Sequence, residues 1–511
     1  MFTYKSLSGL IDPLAESNSD TSVALRKDLP PCDFSLPFDW ATDPFGDTNW
    51  CFQLHCWRAG DHRLKKYFET GDPEHMSYVA SIMLDWHRFH YIEGKSSSHA
   101  WYDMATGIRA SRLAHLISTA ETSPEIRKIL ESNDQAFAAM IGDHIRELTD
   151  PAKLNSGNHG IFQMSGLMSL CLATNHTGAA LEYCVEHMRS ILGGQFTAEG
   201  IHTENSPEYH YFVLSTLDNL RVFDLFSGAM CMQSIEKARL NKQWFVCPDK
   251  SIAAFGDTVG RGPVTTTAPE PKRIILNDGE KHAIGDFSSS GYLFCRSEPY
   301  SSQADYFAVT ASGHTSVHKH GDPGSFVFWR NGVEIFVDGG KYKYGASPAR
   351  QAIISAASHS IVDSISSPFD ASSFRLPPTG TYATGVTFSE SSVALHLEFT
   401  TKEGLHFRRA ITYQPGSEIM VVDSLPDGSA DDIISRLQVN ADLTIEKIRE
   451  DLVSISSENK TAYVLVRGSG PIAVETINPG RSKAYGQLIP VKRLSTRSVD
   501  GKKISWKITL H

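Results

Sequence analysis

The stretch "ASGHTSVHKHGDPGSF" (311–326) puts His314, His318, His320 and Asp322 within nine positions. Imidazoles at that density suit a metal site or a cluster of ligand-binding groups. The apolar runs on either side, "DYFAVT" and "FVFWRNGVEIFVDGG", read as strands. On a strand, His318 and His320 are two apart and leave the same face. Asp338 ends the second run and "ISAASHSIVDSI" supplies His359 further on. His320, Asp338 and His359 are thus a candidate nitrogen and carboxylate set for zinc, with a fourth position for water.

Two stretches earlier in the chain carry a different chemistry. In "LNSGNHGIF", Asn155, Ser156, Asn158 and His159 precede an apolar helix. Asn158 is either the N-cap of that helix or, with His159, a hydrogen-bond donor to an anion in a cavity. In "TAEGIHTENSPEYHYF", Glu199, His202, Glu204, Glu208, Tyr209, His210 and Tyr211 crowd one helix start. They are either core aromatics with a solvated face or proton-transfer groups, because a phenol beside positive charge can give or take a proton.

The elements that must carry these residues change period halfway. From about residue 70 to 245, apolar residues recur at i, i+3, i+4 and i+7 in at least six segments, and starts such as "TSPEIRK" and "NSPEYHY" pair a capping residue with Pro. From about 285 the period is two, with β-branched and aromatic runs punctuated by Gly, Asn and Pro. The fold class expected is α+β multidomain: an all-α domain over 1–246, a Gly-, Pro- and Thr-rich linker over 247–284, and an antiparallel β-sandwich over 285–511.

Composition narrows the functions. The formal charge is −10, with 58 acidic against 48 basic residues and no basic block, which excludes a nucleic-acid binder. No window holds 18 consecutive apolar residues and the first twenty lack the apolar core of a secretory signal, so no membrane partner and a cytoplasmic location are expected. Eight cysteines without CxxC pairing read as free, mostly buried thiols.

The order of these motifs, from "NHG" through "EGIHTENSPEYHY", "GYLFCRS" and "HKHGDPGSFVFWRNGVEIFVDGGKY" to an arginine and "SHSIVD", resembles the heparinase II/III-like polysaccharide lyases over roughly residues 35–370. The resemblance implies an incomplete (α/α) toroid followed by an antiparallel β-sandwich, with the active site in the cleft between them. It implies that Asn158 and His159 neutralise a uronate carboxylate, that Tyr209 and His318 are the catalytic acid–base pair, and that His320, Asp338 and His359 hold a structural zinc, with no organic cofactor. His202, Glu204, Tyr344 and Arg350 are the expected substrate contacts, Arg350 with a scaffold role as its alternative. The chain departs from the family pattern at Ser360, where Asn usually follows the histidine. An acidic polysaccharide or oligosaccharide is then the expected partner, and a homo-oligomer is left open. Two other readings compete: a glycoside hydrolase using two of Glu199, Glu204 and Glu208, and a non-catalytic glycan-binding protein.

Overall fold

The computed structural model describes residues 10–511 except 12, 177, 227–232, 260–267, 278, 298–300, 346, 426–431, 460 and 499–502. It divides into two compact units, Met1–Gly194 with Val213–Cys231, and Gln195–Phe212 with Met232–His511. This division does not follow the chain boundary expected at 246, because residues 195–212 pack with the β-rich unit.

The first unit is helical, as its period requires. Helices Asp61–Thr70 and Pro73–His87 pack together, as do Asp103–Thr122 with Pro124–Ser132 and with Asn158–Ala173. Two start before residue 73, Thr48–His55 and Asp61–Thr70, where the sequence showed no clear period. The cap-and-proline starts form as expected: Ser123 Oγ accepts from Ile126 N–H and Asp72 from Glu74 N–H. The helical-period stretch "PEIRKILESNDQAFAAMIGDHIREL" breaks at Asn133, giving Pro124–Ser132 and Asp134–Leu148.

Asn158–Ala173 is apolar on every side and almost wholly buried, as an interior helix must be. It lies against Asp103–Thr122 across two glycines. A Cβ on Gly107 would stand 2.4 Å from Phe162 O, and one on Gly166 2.1 Å from Gly107 O. That approach puts the first turns of the two helices side by side, Asp103 next to His159.

The second unit is an antiparallel sandwich. One sheet runs in the order Ala383–Phe388, Val393–Thr400, His406–Gln414, Glu418–Ser424, Lys503–Leu510, Tyr463–Gly468, Leu452–Ser456, Thr444–Arg449. The other runs Ala473–Ala484, Gln487–Ser498, Ile433–Asn440, Val333–Phe336, Phe326–Arg330, Tyr306–Thr310, Tyr292–Ser297, Glu280–Phe287, Arg273–Asn277. Alternation along the central strands sends Leu293, Cys295, Phe307 and Val309 into the core between the sheets, and Tyr292, Phe294, Tyr306 and Ala308 to a second core with Trp244, Phe245, Ile252 and Phe255. With both faces buried, these strands read as continuous apolar runs.

The expected linker over 247–284 is instead part of the unit. It contains the strand Arg273–Asn277, most of Glu280–Phe287, and the core residues Ile252, Ala253 and Phe255. Its Gly and Pro content marked turns rather than a spacer. Cys32, Cys51, Cys56, Cys171, Cys184, Cys247 and Cys295 are free, all but Cys32 buried, while Cys231 lies outside the described residues. Among the described residues no helix is long and apolar enough to cross a membrane.

Candidate active site

Three segments far apart in the chain are pinned together in the β-rich unit. Asn205, in the left-handed region at φ 58°, donates from Nδ2 to the carbonyls of Thr315 (2.8 Å) and Val317 (2.9 Å) and accepts from Ser312 Oγ (2.8 Å). It thereby fastens the histidine-rich loop to the start of the helix Pro207–Asn219. The third segment is "FGDT". Gly256 has φ +53°, and a Cβ there would meet Asn205 O at 2.4 Å and His318 O at 2.7 Å, so only glycine fits. Asp257 N–H then donates to His318 O (3.2 Å), and Ser206 Oγ donates to Asp257 O (3.0 Å).

The side chains converge as a result. The Tyr209 ring stacks on the His318 ring, centroids 3.7 Å apart and 20° between planes. His318 Nδ1 lies 2.9 Å from Asp257 Oδ2, and its Nε2 lies 3.6 Å from Glu204 Oε2. Asp257 Oδ1 takes His320 Nε2 at 2.9 Å and the Arg350 guanidinium at 2.5 Å. The hydroxyls of Tyr209 and Tyr344 are hydrogen-bonded. Lys341 Nζ donates to Tyr344 at 3.2 Å and stands 3.9 Å from Glu208. His318 has φ 56°, a conformation that costs energy in a residue other than glycine and collects at functional sites.

Burial pushes the Tyr209 phenol above its ordinary pKa, against the opposing hydrogen bond with Tyr344. Tyr344 is raised too, by burial and then by Tyr209. At Asp257 burial alone would raise the carboxyl, but hydrogen bonds from His318 and His320 and the Arg350 charge outweigh it and hold the group well below the usual carboxylate range. Glu204 goes the other way, raised by burial despite His318. The arrangement can therefore present a protonated phenol next to an imidazole braced by a carboxylate.

In the helical unit, Asn158 opens the helix Asn158–Ala173 and Gly157 is its N-cap residue. The capping alternative for Asn158 thus fails. Asn155 Oδ1 takes the Gly157 N–H at 2.7 Å. His159 Nδ1 lies 3.2 Å from Asp103 Oδ2, and Asn155 Nδ2 donates to the same oxygen at 3.5 Å. His159 also lines a cavity of about 360 Å³ with Thr48, Asn49, Phe52, His99, Tyr102 and Met104. Imidazole and amide donors around aromatic walls can hold an anionic sugar.

Several expectations need correction. Residues 311–325 are a loop, so His318 and His320 do not share a strand face; they meet on Asp257 instead. His202, expected to bind substrate, is buried, with Nε2 on Gln195 and Nδ1 on the Glu204 N–H, so it shapes its own turn. Arg350 takes its scaffold role on Asp257. Tyr344 is half exposed and Glu204 faces His318, as a substrate contact could. The three expected zinc ligands are neighbours. His359 Nδ1 binds Asp338 Oδ1 at 3.0 Å, Ser325 Oγ binds Asp338 Oδ2 at 2.6 Å, and among the described residues no three such groups stand ready for a metal. Yet His320 Nδ1 and His359 Nε2 are buried without a hydrogen-bond partner, and the two rings lie 5.3 Å apart. Burial drives His320 towards its neutral form; at His359 burial is outweighed by Asp338, which raises it. Ser360, the departure from the family pattern, accepts the Gln438 N–H on Oγ at 3.0 Å.

Sequence reasoning missed Asn205, Asp257, Lys341 and Asp103. Asp257 was hidden in a supposed linker, though a Gly-Asp-Thr triplet directly after the apolar "IAAF" was a signal. Of the three glutamates of the hydrolase reading, Glu199 is tied to Lys272, Ser289 and Ser290, Glu208 to the Val259 N–H, and Glu204 faces His318.

The family model described as Heparinase II/III N-terminus matches residues 21–262, and that described as Heparinase II/III-like, C-terminal, matches 280–507. No curated protein matches. Among solved structures, heparan sulfate lyase HepC from Pedobacter heparinus superposes with TM-score 0.75 at 15% identity, covering 98% of this chain and 83% of that one. A heparinase III gene product with methylated lysines gives TM-score 0.76 at 16% identity, covering 100% of this chain and 84% of that one. Heparinase III gives 0.68 at 14%, covering 96% and 80%. At such identities these likenesses establish the fold, an (α/α) toroid followed by a β-sandwich, and the two family matches establish the rest: the chain belongs to the heparinase II/III-like family and is a polysaccharide lyase.

Proposed function

We propose that the protein cleaves a uronate-containing acidic polysaccharide or oligosaccharide by β-elimination. The observation that carries this reading is the Tyr209–His318 stack braced by Asp257, inside a chain matched by the family along both halves. The solved structures named as heparan sulfate lyase and heparinase III make a glycosaminoglycan the first class to try.

In the elimination a base removes the C5 proton. The electron pair passes through an enolate-like carboxylate into a C4–C5 double bond, the C4–O bond breaks, and the departing oxygen takes a proton. Asn158 and His159 supply donors for the carboxylate as its charge grows. His318, with Nδ1–H given to Asp257, has a bare Nε2 for the C5 proton, and Tyr209, kept protonated by burial, serves the leaving oxygen. Lys341, beside the Tyr344 hydroxyl, steadies the tyrosine pair. Incubating the protein with a panel of uronate polymers should produce the ultraviolet absorbance of an unsaturated uronate; new reducing ends without that absorbance would mean hydrolysis.

A structural zinc is part of the proposal. The unpartnered nitrogens of His320 and His359 are ligands zinc accepts, and Asp338 would add oxygen. The ion would tie the histidine loop to the ends of two strands. About one equivalent by elemental analysis, lost with thermal stability in Asp338→Ala, is expected; full metal in His320→Ala/Asp338→Ala would refute it.

A further inference from the structure

A histidine can act as a base only through a nitrogen that carries no proton, and the hydrogen bond at its other nitrogen decides which one that is. At His318 a single group makes that decision. Asp257 Oδ2 is 2.9 Å from Nδ1, and an ionised carboxylate accepts but cannot donate, so the proton belongs on Nδ1. Glu204, at 3.6 Å from Nε2, is outside hydrogen-bond distance. The carboxylate cannot swing away, because its other oxygen takes His320 at 2.9 Å and Arg350 at 2.5 Å, and its side chain is only 3% exposed. Its own backbone N–H holds the His318 carbonyl at 3.2 Å, across a contact that only Gly256 permits.

We propose that Asp257 is a positioning residue for the elimination: it fixes His318 as the Nδ1–H tautomer, aims the bare Nε2 along the face of Tyr209, and balances the imidazolium formed when Nε2 takes the C5 proton. Arg350, on the other carboxylate oxygen, keeps Asp257 in place. The Asp257 role is new; Arg350 was expected from the sequence only as a substrate or scaffold contact. The proposal rests on the lyase reading for its kinetic consequence, but not for its structural one.

Two measurements separate them. In the wild-type protein with ¹⁵N-labelled histidine, the ring signals of His318, assigned by their loss in His318→Gln, should show a protonated Nδ1 and a bare Nε2. In Asp257→Asn the amide turns a donor towards Nδ1, and the proton should move to Nε2. On the substrate, kcat of that variant should fall by about 10²–10⁴-fold, as when a triad aspartate becomes asparagine, while KM stays within about twofold, a split that a loosened fold would not give. A bare Nδ1 in the wild type overturns the proposal even if the variant does not fold. So does an Asp257→Asn protein that folds and keeps its kcat. A protonated Nδ1 together with no unsaturated product from any uronate polymer would uphold the positioning and overturn the lyase reading alone.

Discussion

In the helical unit Asp103 holds His159 at 3.2 Å, with side chains 23% and 32% exposed; in the β-rich unit Asp257 holds His318 at 2.9 Å, with side chains 3% and 14% exposed. Asp103 has one further side-chain partner, Asn155, whereas Asp257 has His320 and Arg350 as well as a backbone tie. The same residue pair has been built open in one place and closed in the other. A group that meets a charged ligand must keep a face to solvent and can do with one brace. A group whose protonation form must be the same in every turnover has to be fixed from several sides, and the burial this requires is tolerable only because each charge has a partner. Exposed ion pairs contribute about 0–1 kcal/mol, while removing one partner of a buried pair costs about 3–5 kcal/mol.

The sharpest way to break the contrast is at the closed end. Tyr209→Phe keeps the ring on His318 and deletes the hydroxyl, with its proton and its hydrogen bond to Tyr344. Turnover should fall by about 10²–10⁴-fold, the range for loss of a general acid or base, with KM little changed, measured by unsaturated product. Near-normal turnover would make the Tyr209–His318 stack a packing feature and leave the closed site without a purpose.

The closed site was only half legible in the sequence. Tyr209 and His318 stand in motifs dense with titratable groups, and such density has few structural excuses. Asp257 and Asn205 do their work through a close backbone approach at Gly256 and a left-handed turn, neither of which leaves a periodic trace. The helix-then-strand order was legible because amphipathic periods of 3.6 and 2 are written residue by residue. The strands Ile433–Asn440 and Gln487–Ser498 were not, because Arg436, Gln438, Lys492 and Arg493 interrupt the apolar alternation. Residues 195–212 belong to the β-rich unit, with partners far along the chain, such as Thr315 and Val317 for Asn205 and Phe245 for His210, that no local pattern encodes.

At the open end Asn158→Ala removes a donor that strengthens as charge builds on the carboxylate. Turnover on the free acid should fall by about 10²–10³-fold, and a methyl-esterified substrate, already neutral, should lose much less. Equal losses on acid and ester would take the carboxylate away from Asn158. The next effect is on stability: Gly256→Ala forces a side chain against two carbonyls at positive φ and should cost about 1–3 kcal/mol, read as a lower thermal midpoint. An unchanged midpoint would mean that the three segments are not held by that approach.

The smallest effect should be at Asp103, and its pH dependence tests the open site directly. Burial would raise the Asp103 carboxyl, but the hydrogen bond from His159, the Met104 N–H of its own helix and Asn155 together hold it below its ordinary value of 3.8. Since the folded pKa is the lower one, the ionised form is favoured by folding. The contribution is therefore fully present above the unfolded pKa and is lost as pH falls through the folded one. Asp103 also sits in the first turn of its helix, where a negative charge is favourable. Asp103→Asn should thus lower stability by roughly 0.5–1 kcal/mol at neutral pH, seen as an earlier urea midpoint, with a constant gap down to about pH 5 that closes below about pH 4, where carboxylates protonate. A gap that widens on acidification would have the wrong sign for a depressed carboxyl, and a gap of several kcal/mol at neutral pH would mean that the Asp103–His159 pair is as closed as its counterpart on Asp257.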